Sequence, residues 1–419
     1  MHVPFRMFAA LICTVALLSG CTHSENRMSE SQPTPQQADK NAPGSLIQAD
    51  SIRVLDPVIR DTGAQAIRVL YRSTSGIDGR STEVTGSVFI PPGKAPPFGW
   101  PVIAMAHPTS AIESKCAPSF STDLFGMAGL VAANVDNGYA VAVTDYQGLG
   151  GPGFHPYLES KTAGLNVIDS VRALRAVSRD VSKTWAAYGG SQGGGSAAWS
   201  ANEQSASYAP ELDLRGSVSL APLPDPSELA GAAARRELTP TQSAAYVGVL
   251  KSMERLALNF PIDDYRHGFA AEKWQDLSAC TGPAAASRDG LAAKITSDDL
   301  VPSSPGAEAR IATLLKAFAV PRHKASAPML VTYGGAGELA SPEWTQKAVA
   351  QACDMGSLVA YADTTAEEWA GAGRSDDLSG RWLSARFEGL PAPSTCPGAL
   401  HGVIAGTEAG TGAADDGNR

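Results

Sequence analysis

Apolar positions gather in short runs closed off by glycine and proline through the first half of the chain. They read IRVLYRSTS from Ile67, EVTGSVFIP from Glu83, PVIAMAHP from Pro101 and YAVAVTDY from Tyr139. Runs of this length, rich in β-branched residues, predict strands. In AGLNVIDSVRALRAVSRD, which starts at Ala163, Leu165, Ile168, Val171, Leu174 and Val177 recur every three residues and share one face, so a helix is predicted there. TWAAYGG, RGSVSLAP and APMLVTYG then supply three more buried strands. Strands alternating with helices predict the α/β class, with a mostly parallel sheet and helices on both faces.

The alternation stops over residues 223–325. About a hundred Ala-rich residues, including LTPTQSAAYVGVLKSMERLAL and AEARIATLLKAFAV, show helical periodicity and no strand pattern. The stretch is too long for a loop. It predicts an inserted helical cap over the C-terminal edge of the sheet, where open α/β sheets place their ligands. The core then falls into two parts, 49–222 and 326–397. Residues 398–419, dominated by Gly, Ala, Thr and Asp, predict a disordered tail.

The other long apolar run is MFAALICTVALLSGC at residues 7–21, too short and too near the N-terminus for a spanning helix. Arg6 precedes it, and Leu18, Ser19, Gly20 and Cys21 match the lipobox of bacterial lipoproteins. Residues 1–21 therefore read as a lipoprotein signal peptide that places a lipid on the Cys21 thiol; an ordinary cleaved signal peptide is the alternative. Residues 22–48, rich in Ser, Gln, Pro, Asn and Thr, bury too little to order themselves and read as a flexible tether. The expected location is outside the cytoplasm, lipid-anchored to the cell envelope at the outer membrane or cell surface. Thr22 after the anchor is compatible with outer-membrane sorting.

Composition adds limits. With 43% hydrophobic and 18% charged residues the chain has the balance of a globular protein with a large core. Its net charge is -9 and its longest Lys/Arg cluster is Arg235 with Arg236, so no nucleic-acid partner is expected. Of six cysteines, Cys13 would leave with the signal peptide and Cys21 would carry lipid. Cys116, Cys280, Cys353 and Cys396 remain, an even number that suggests two disulfides in an exported protein; three pairings are open, and four free thiols are the alternative.

Residues 189–193 read GGSQG, a G-x-S-x-G pattern that means little alone in a chain with 42 glycines. Its setting changes that: TWAAY before it reads as a short buried strand, and GGSAAWSANEQSA after it opens a helix. A sharp strand-to-helix turn projects the central serine above the sheet and leaves the next backbone amides free to hold an oxyanion. Ser191 is thereby the candidate nucleophile, and a Gly-rich structural turn is the alternative.

Four blocks make the pattern specific: AHPTSAIESKCAPS (106–119), TDYQGLGGPGFHPYL (144–158), YGGSQGGGSAAWSANEQSASYAPELDLRGSVSLAP (188–222) and WLSARFEGLPAPSTC (382–396). In order and spacing they resemble the secretory lipase family, over most of the chain from about Ser51 to Cys396. The resemblance implies an α/β-hydrolase fold with a helical cap lining an acyl tunnel, and hydrolysis of carboxylic esters, including acylglycerols, without a metal or organic cofactor. It implies Ser191 as nucleophile, with the Gln192 amide and the loop of His107, Pro108, Thr109 and Ser110 around the oxyanion. It casts His107 and His155 as hydrogen-bonding loop residues rather than bases, and Asp145 as a carboxylate that fixes a loop. It further implies the pairings Cys116 with Cys280 and Cys353 with Cys396.

One departure bears on function. Family members place the triad acid after the strand matching APMLVTYG, in a segment like G-T-A-D-E; this chain reads GGAGE at 334–338, with Gly337 in the acid position and Glu338 beside it. The triad histidine position, about fourteen residues before Trp382, holds Glu368, and no histidine occurs between His323 and His401. A serine without a base is a weak nucleophile at neutral pH. The expectation is a monomeric, lipid-tethered ester hydrolase of weak activity, its base being Glu368 or a histidine recruited from elsewhere, such as His267. The alternative is a non-catalytic hydrolase scaffold that binds an acyl or lipid ligand or a protein partner.

Overall fold

The computed structural model describes residues 39–278, 280, 290–334, 339–363 and 374–397. Nine strands form one sheet: β1 Leu46–Ser51, β2 Gln65–Thr74, β3 Ser81–Ile90, β4 Trp100–Ala106, β5 Ala140–Thr144, β6 Val181–Gly189, β7 Asp213–Leu220, β8 Met329–Tyr333 and β9 Val359–Asp363. Their spatial order is β1-β2-β3-β5-β4-β6-β7-β8-β9. The pairs from β1 to β5 are antiparallel, and from β5 onward every neighbour is parallel.

Alternate side chains of a strand face opposite sides of a sheet, and a parallel strand covered on both sides must be apolar throughout. In β4, Val102, Ala104 and Ala106 join one core cluster while Ile103 and Met105 join another. The helices are α1 Pro57–Asp61, α2 Ala128–Asp136, α3 Ser160–Val177, α4 Ser191–Tyr208, α5 Ser227–Ala234, α6 Pro240–Leu256, α7 Gly268–Glu272, α8 Pro305–Lys316, α9 Pro342–Asp354 and α10 Arg374–Phe387. Helix α3 covers the first face, through Val167, Ile168, Val171 and Leu174, and α4 lies beside it with Ala197, Ala198 and Ala201. Helices α2 and α10 cover the second, through Val131, Val135, Leu378, Trp382 and Leu383.

Between β7 and β8 the described residues are helical, without a strand. Thr239 and Gln242 form a capping box at the start of α6, whose first residue is Pro240, a combination that fixes where that helix begins. Leu229, Tyr246, Val249, Leu250, Ile311 and Leu315 of α5, α6 and α8 build an apolar cluster of their own. A Cys116–Cys280 disulfide ties this segment to the loop after β4, and Cys353–Cys396 ties α9 to the chain beyond α10. These are the pairings that the family resemblance implies.

The seven strands expected from the sequence are present, and two more join them. β1 escapes a hydrophobic reading because five of its six residues are exposed, as suits a sheet edge. It also corrects the expected tether: order begins before residue 48, with Gly44 N donating to Arg72 O and Arg72 N to Ser45 O. β9, only five residues long, closes the other edge. The expected signal peptide with Cys21, the tether up to residue 38 and the tail over 398–419 lie outside the described residues.

Candidate functional site

From β4 the chain passes to β5 on one side and later to β6 on the other, so the C-terminal ends of β4 and β6 flank the point where strand order reverses. Open α/β sheets form their ligand crevices at such points. The loop of residues 107–110 leaves β4 there, and the turn carrying Ser191 leaves β6 there.

Gly190 is extended, with φ -116° and ψ 153°, and Ser191 then takes φ +62° before α4 continues. A serine in left-handed conformation costs on the order of 1–3 kcal/mol and persists only where its surroundings dictate it. Three glycines do so. A Cβ on Gly189 would lie 1.9 Å from Gly194 O, one on Gly194 would lie 2.3 Å from Ala106 O, and one on Gly195 would lie 2.7 Å from Leu220 O. The first turn of α4 thus sits directly against the ends of β4, β6 and β7, with Ser191 half-buried at its tip. The Gln192 amide belongs to that first turn, whose N–H groups have no partner within the helix.

Opposite the elbow, His107 and Ser110 are buried, Thr109 is half-buried and Pro108 is exposed. Both ring nitrogens of His107 face backbone carbonyls, Nδ1 to Pro108 O at 2.6 Å and Nε2 to Asp145 O at 3.2 Å, and the ring packs 4.2 Å from that of Tyr146. His155 directs Nδ1 to Gln147 O at 3.0 Å. Burial pulls the His107 imidazole below its usual range and that of His155 down to about 4, so His155 is neutral at neutral pH. Asp145 accepts from Thr85 Oγ1 at 2.7 Å and from Ser119 N at 2.8 Å, joining β3, β5 and the loop after β4; burial raises its carboxyl above the usual range. These three residues hold loops in place. The Ser110 hydroxyl is buried without a hydrogen-bond partner among the described residues.

A cavity of about 420 Å³ opens between this loop and α6, within the usual size of a small-molecule site. Thr109, Ile112 and Tyr157 form one wall, and Ala244, Val247 and Gly248 of α6 face them. Thr109 connects cavity and elbow, since its Oγ1 lies 3.4 Å from where a Cβ on Gly193 would be. Lys251 also lines the cavity, although only 4% of it is exposed. The sequence reading missed this lysine. The available signal was its position on α6, three residues after Gly248 and four after Val247, on a face that is otherwise apolar.

His267, a further expected residue, does not reach this site. His267 sits at the start of α7 with Nε2 2.9 Å from Val301 O, engaged by the backbone of its own segment. Gly337, Glu338 and Glu368 lie outside the described residues, in segments that follow β8 and β9. Among the described residues, no group of three or more His, Cys, Asp or Glu is placed to hold a metal ion.

A model of the secretory lipase family matches residues 119–395, two thirds of the chain. The chain belongs to the secretory lipase family. Its fold is similar to that of Candida antarctica lipase A in its closed state, at TM-score 0.66 and 17% identity over 87% of this chain and 88% of the other. It is similar also to the ligand-bound rice cell wall degrading esterase LipA from Xanthomonas oryzae, at TM-score 0.61 and 19% identity over 83% and 98%. At these identities the likeness is one of fold, an α/β-hydrolase. A curated relative from Mycobacterium tuberculosis (strain CDC 1551 / Oshkosh), named as a probable inactive lipase, is 27% identical over 195 residues. That match spans 44% of this chain and 42% of the relative's length. Family and disulfides fit an exported protein, and among the described residues no helix is long and apolar enough to cross a membrane.

Proposed function

We propose that this protein binds a carboxylic ester beneath a helical cap formed by residues 223–325 and hydrolyses it slowly, with Ser191 as nucleophile. The observation that carries the reading is the left-handed Ser191 at the β6–α4 turn, facing a loop that opens into an apolar cavity. In this scheme Ser191 Oγ attacks the ester carbonyl. The Gln192 amide and the 107–110 loop stabilise the resulting oxyanion, a contribution that pre-aimed donors make without reorganising. No cofactor is required.

The slow step is proton transfer. His107, His155 and His267 are committed to backbone carbonyls, and the family's acid and base positions read Gly337 and Glu368. A carboxylate at Glu368 or Glu338 has too low a pKa to match a serine hydroxyl. Loss of one triad member leaves a residual acceleration of about 10³ to 10⁴ over water.

A short p-nitrophenyl ester tests this. The expected result is slow turnover that Ser191→Ala abolishes and that Gly337→Asp combined with Glu368→His raises. Turnover typical of a lipase, abolished by Ser191→Ala, would show that a working base exists; slow turnover unchanged in Ser191→Ala would remove Ser191 from the chemistry. A non-catalytic scaffold for an acyl ligand or protein partner is the second reading, favoured by the relative named as probably inactive. It predicts no turnover in either form. On the same sequence grounds, we infer that Cys21 carries the lipid that anchors the chain to the cell envelope.

A further inference from the structure

Lys251 lies in the second half of α6, 96% buried, and lines the cavity. No hydrogen bond or ion pair to it occurs among the described residues; its Nζ lies over the face of Trp274, 5.0 Å from the ring centroid. The charges acting on it are Arg255 and Arg266 against Glu113 and Glu254. These cancel, and they are engaged with one another: Arg255 pairs with Glu113, and Arg266 approaches Glu254 at 3.7 Å while its guanidinium lies over the same indole. Trp274 Nε1 donates to the other oxygen of Glu254 at 3.0 Å. The exposed Asp263 takes up the remaining side of Arg266. Arg255 and Arg266 thus each have a carboxylate in contact, and Lys251, which faces the cavity, has none.

A buried ammonium without an anion is costly, and proteins pair such groups or use them. Apart from Thr109, Thr241 and Tyr157 the rest of the lining is apolar, and along α6 from Pro240 to Lys251 it runs roughly 16 Å at the helical rise per residue. A single ammonium with no carboxylate in contact matches a monoanion. A dianionic phosphate would instead leave negative charge beside Glu113 and Glu254.

We propose that the cavity takes a free long-chain carboxylic acid, with its chain along α6 and its carboxylate on Lys251 Nζ. This rests on the reading of the cavity as an acyl site. It adds that the preferred occupant is an anion, the acid rather than its neutral ester. Desolvation brings the lysine down to about 8, so the ammonium that recognises the ligand is lost as pH rises past that value and binding weakens there.

Calorimetric titration with laurate and methyl laurate tests the proposal, in the Ser191→Ala protein so that the ester is not consumed. Laurate is expected to bind at least tenfold tighter than methyl laurate at neutral pH. Lys251→Met should abolish the preference without lowering the thermal midpoint, because it removes an unpaired charge, and Lys251→Arg should keep it. Equal affinities in the parent, or a preference that survives Lys251→Met, would overturn the proposal while leaving an acyl site in place. If neither compound binds, the acyl site fails and this proposal fails with it. Lysine-dependent laurate binding without ester turnover would count against hydrolysis alone.

Discussion

A Cβ on Gly194 would lie 2.3 Å from the carbonyl oxygen of Ala106. The α4 backbone and the end of β4 are therefore in contact at the base of the elbow, and neither can move without disturbing the sheet. Gly194→Ala is expected to cost at least the roughly 1–3 kcal/mol of an overpacked core. Gly129→Ala, on the exposed side of α2 with nothing within 4 Å, is the control. It should be neutral or stabilising by up to about 1 kcal/mol. Chemical denaturation of both variants measures the contrast.

Glu203, on α4, is 7% exposed and accepts from Arg322 N at 3.1 Å, and burial raises its carboxyl from 4.5 to about 7. Between those values the folded chain keeps a proton that the unfolded chain has released, so stability falls as pH rises through the window. The loss is on the order of 3 kcal/mol when complete. Glu203→Gln should flatten the stability profile between pH 4.5 and 7; a slope unchanged from the parent would show that another group carries it.

The two disulfides close loops of very different size, Cys116 and Cys280 being 164 positions apart in sequence and Cys353 and Cys396 only 43. If restriction of the unfolded chain dominates, Cys280→Ser should cost more than Cys396→Ser by roughly 1 kcal/mol. Thermal unfolding of the two variants ranks them, and non-reducing peptide maps of the parent should contain only these two linkages among the four cysteines.

Cys21→Ser should shift the protein from the detergent phase to the aqueous phase, since a diacyl anchor is what would hold it to a membrane. Equal partitioning of parent and variant would exclude lipid on that thiol.

Where neighbours in sequence are also neighbours in space, the fold could be read in advance. The strands β4, β5 and β8 carry contiguous apolar runs because both faces of the sheet are covered, and the elbow is a local motif whose glycines, serine and flanking strand lie within a dozen residues. β1 was hidden by its exposed edge position, and β9 is the strand at the opposite edge. Lys251 was hidden for a different reason. The apolar face of α6 signals its burial, but its role in the cavity depends on Ile112, Glu113 and Trp274, which come from other parts of the chain. The absence of a histidine at the base position needed no structure, because no histidine occurs in the sequence between His323 and His401.

The glycines around Ser191 are fixed by backbone oxygens of their own turn and of β4 and β7, and not by anything the serine hydroxyl does. The motif would consequently outlast the chemistry it was built for. In a lineage that gave up turnover, substitutions at the glycines would still be purged as folding defects, while the acid and base positions, free of that constraint, could drift. Within this fold an intact elbow is evidence of ancestry, and evidence of present activity has to be sought at the acid and base positions that follow β8 and β9 in sequence.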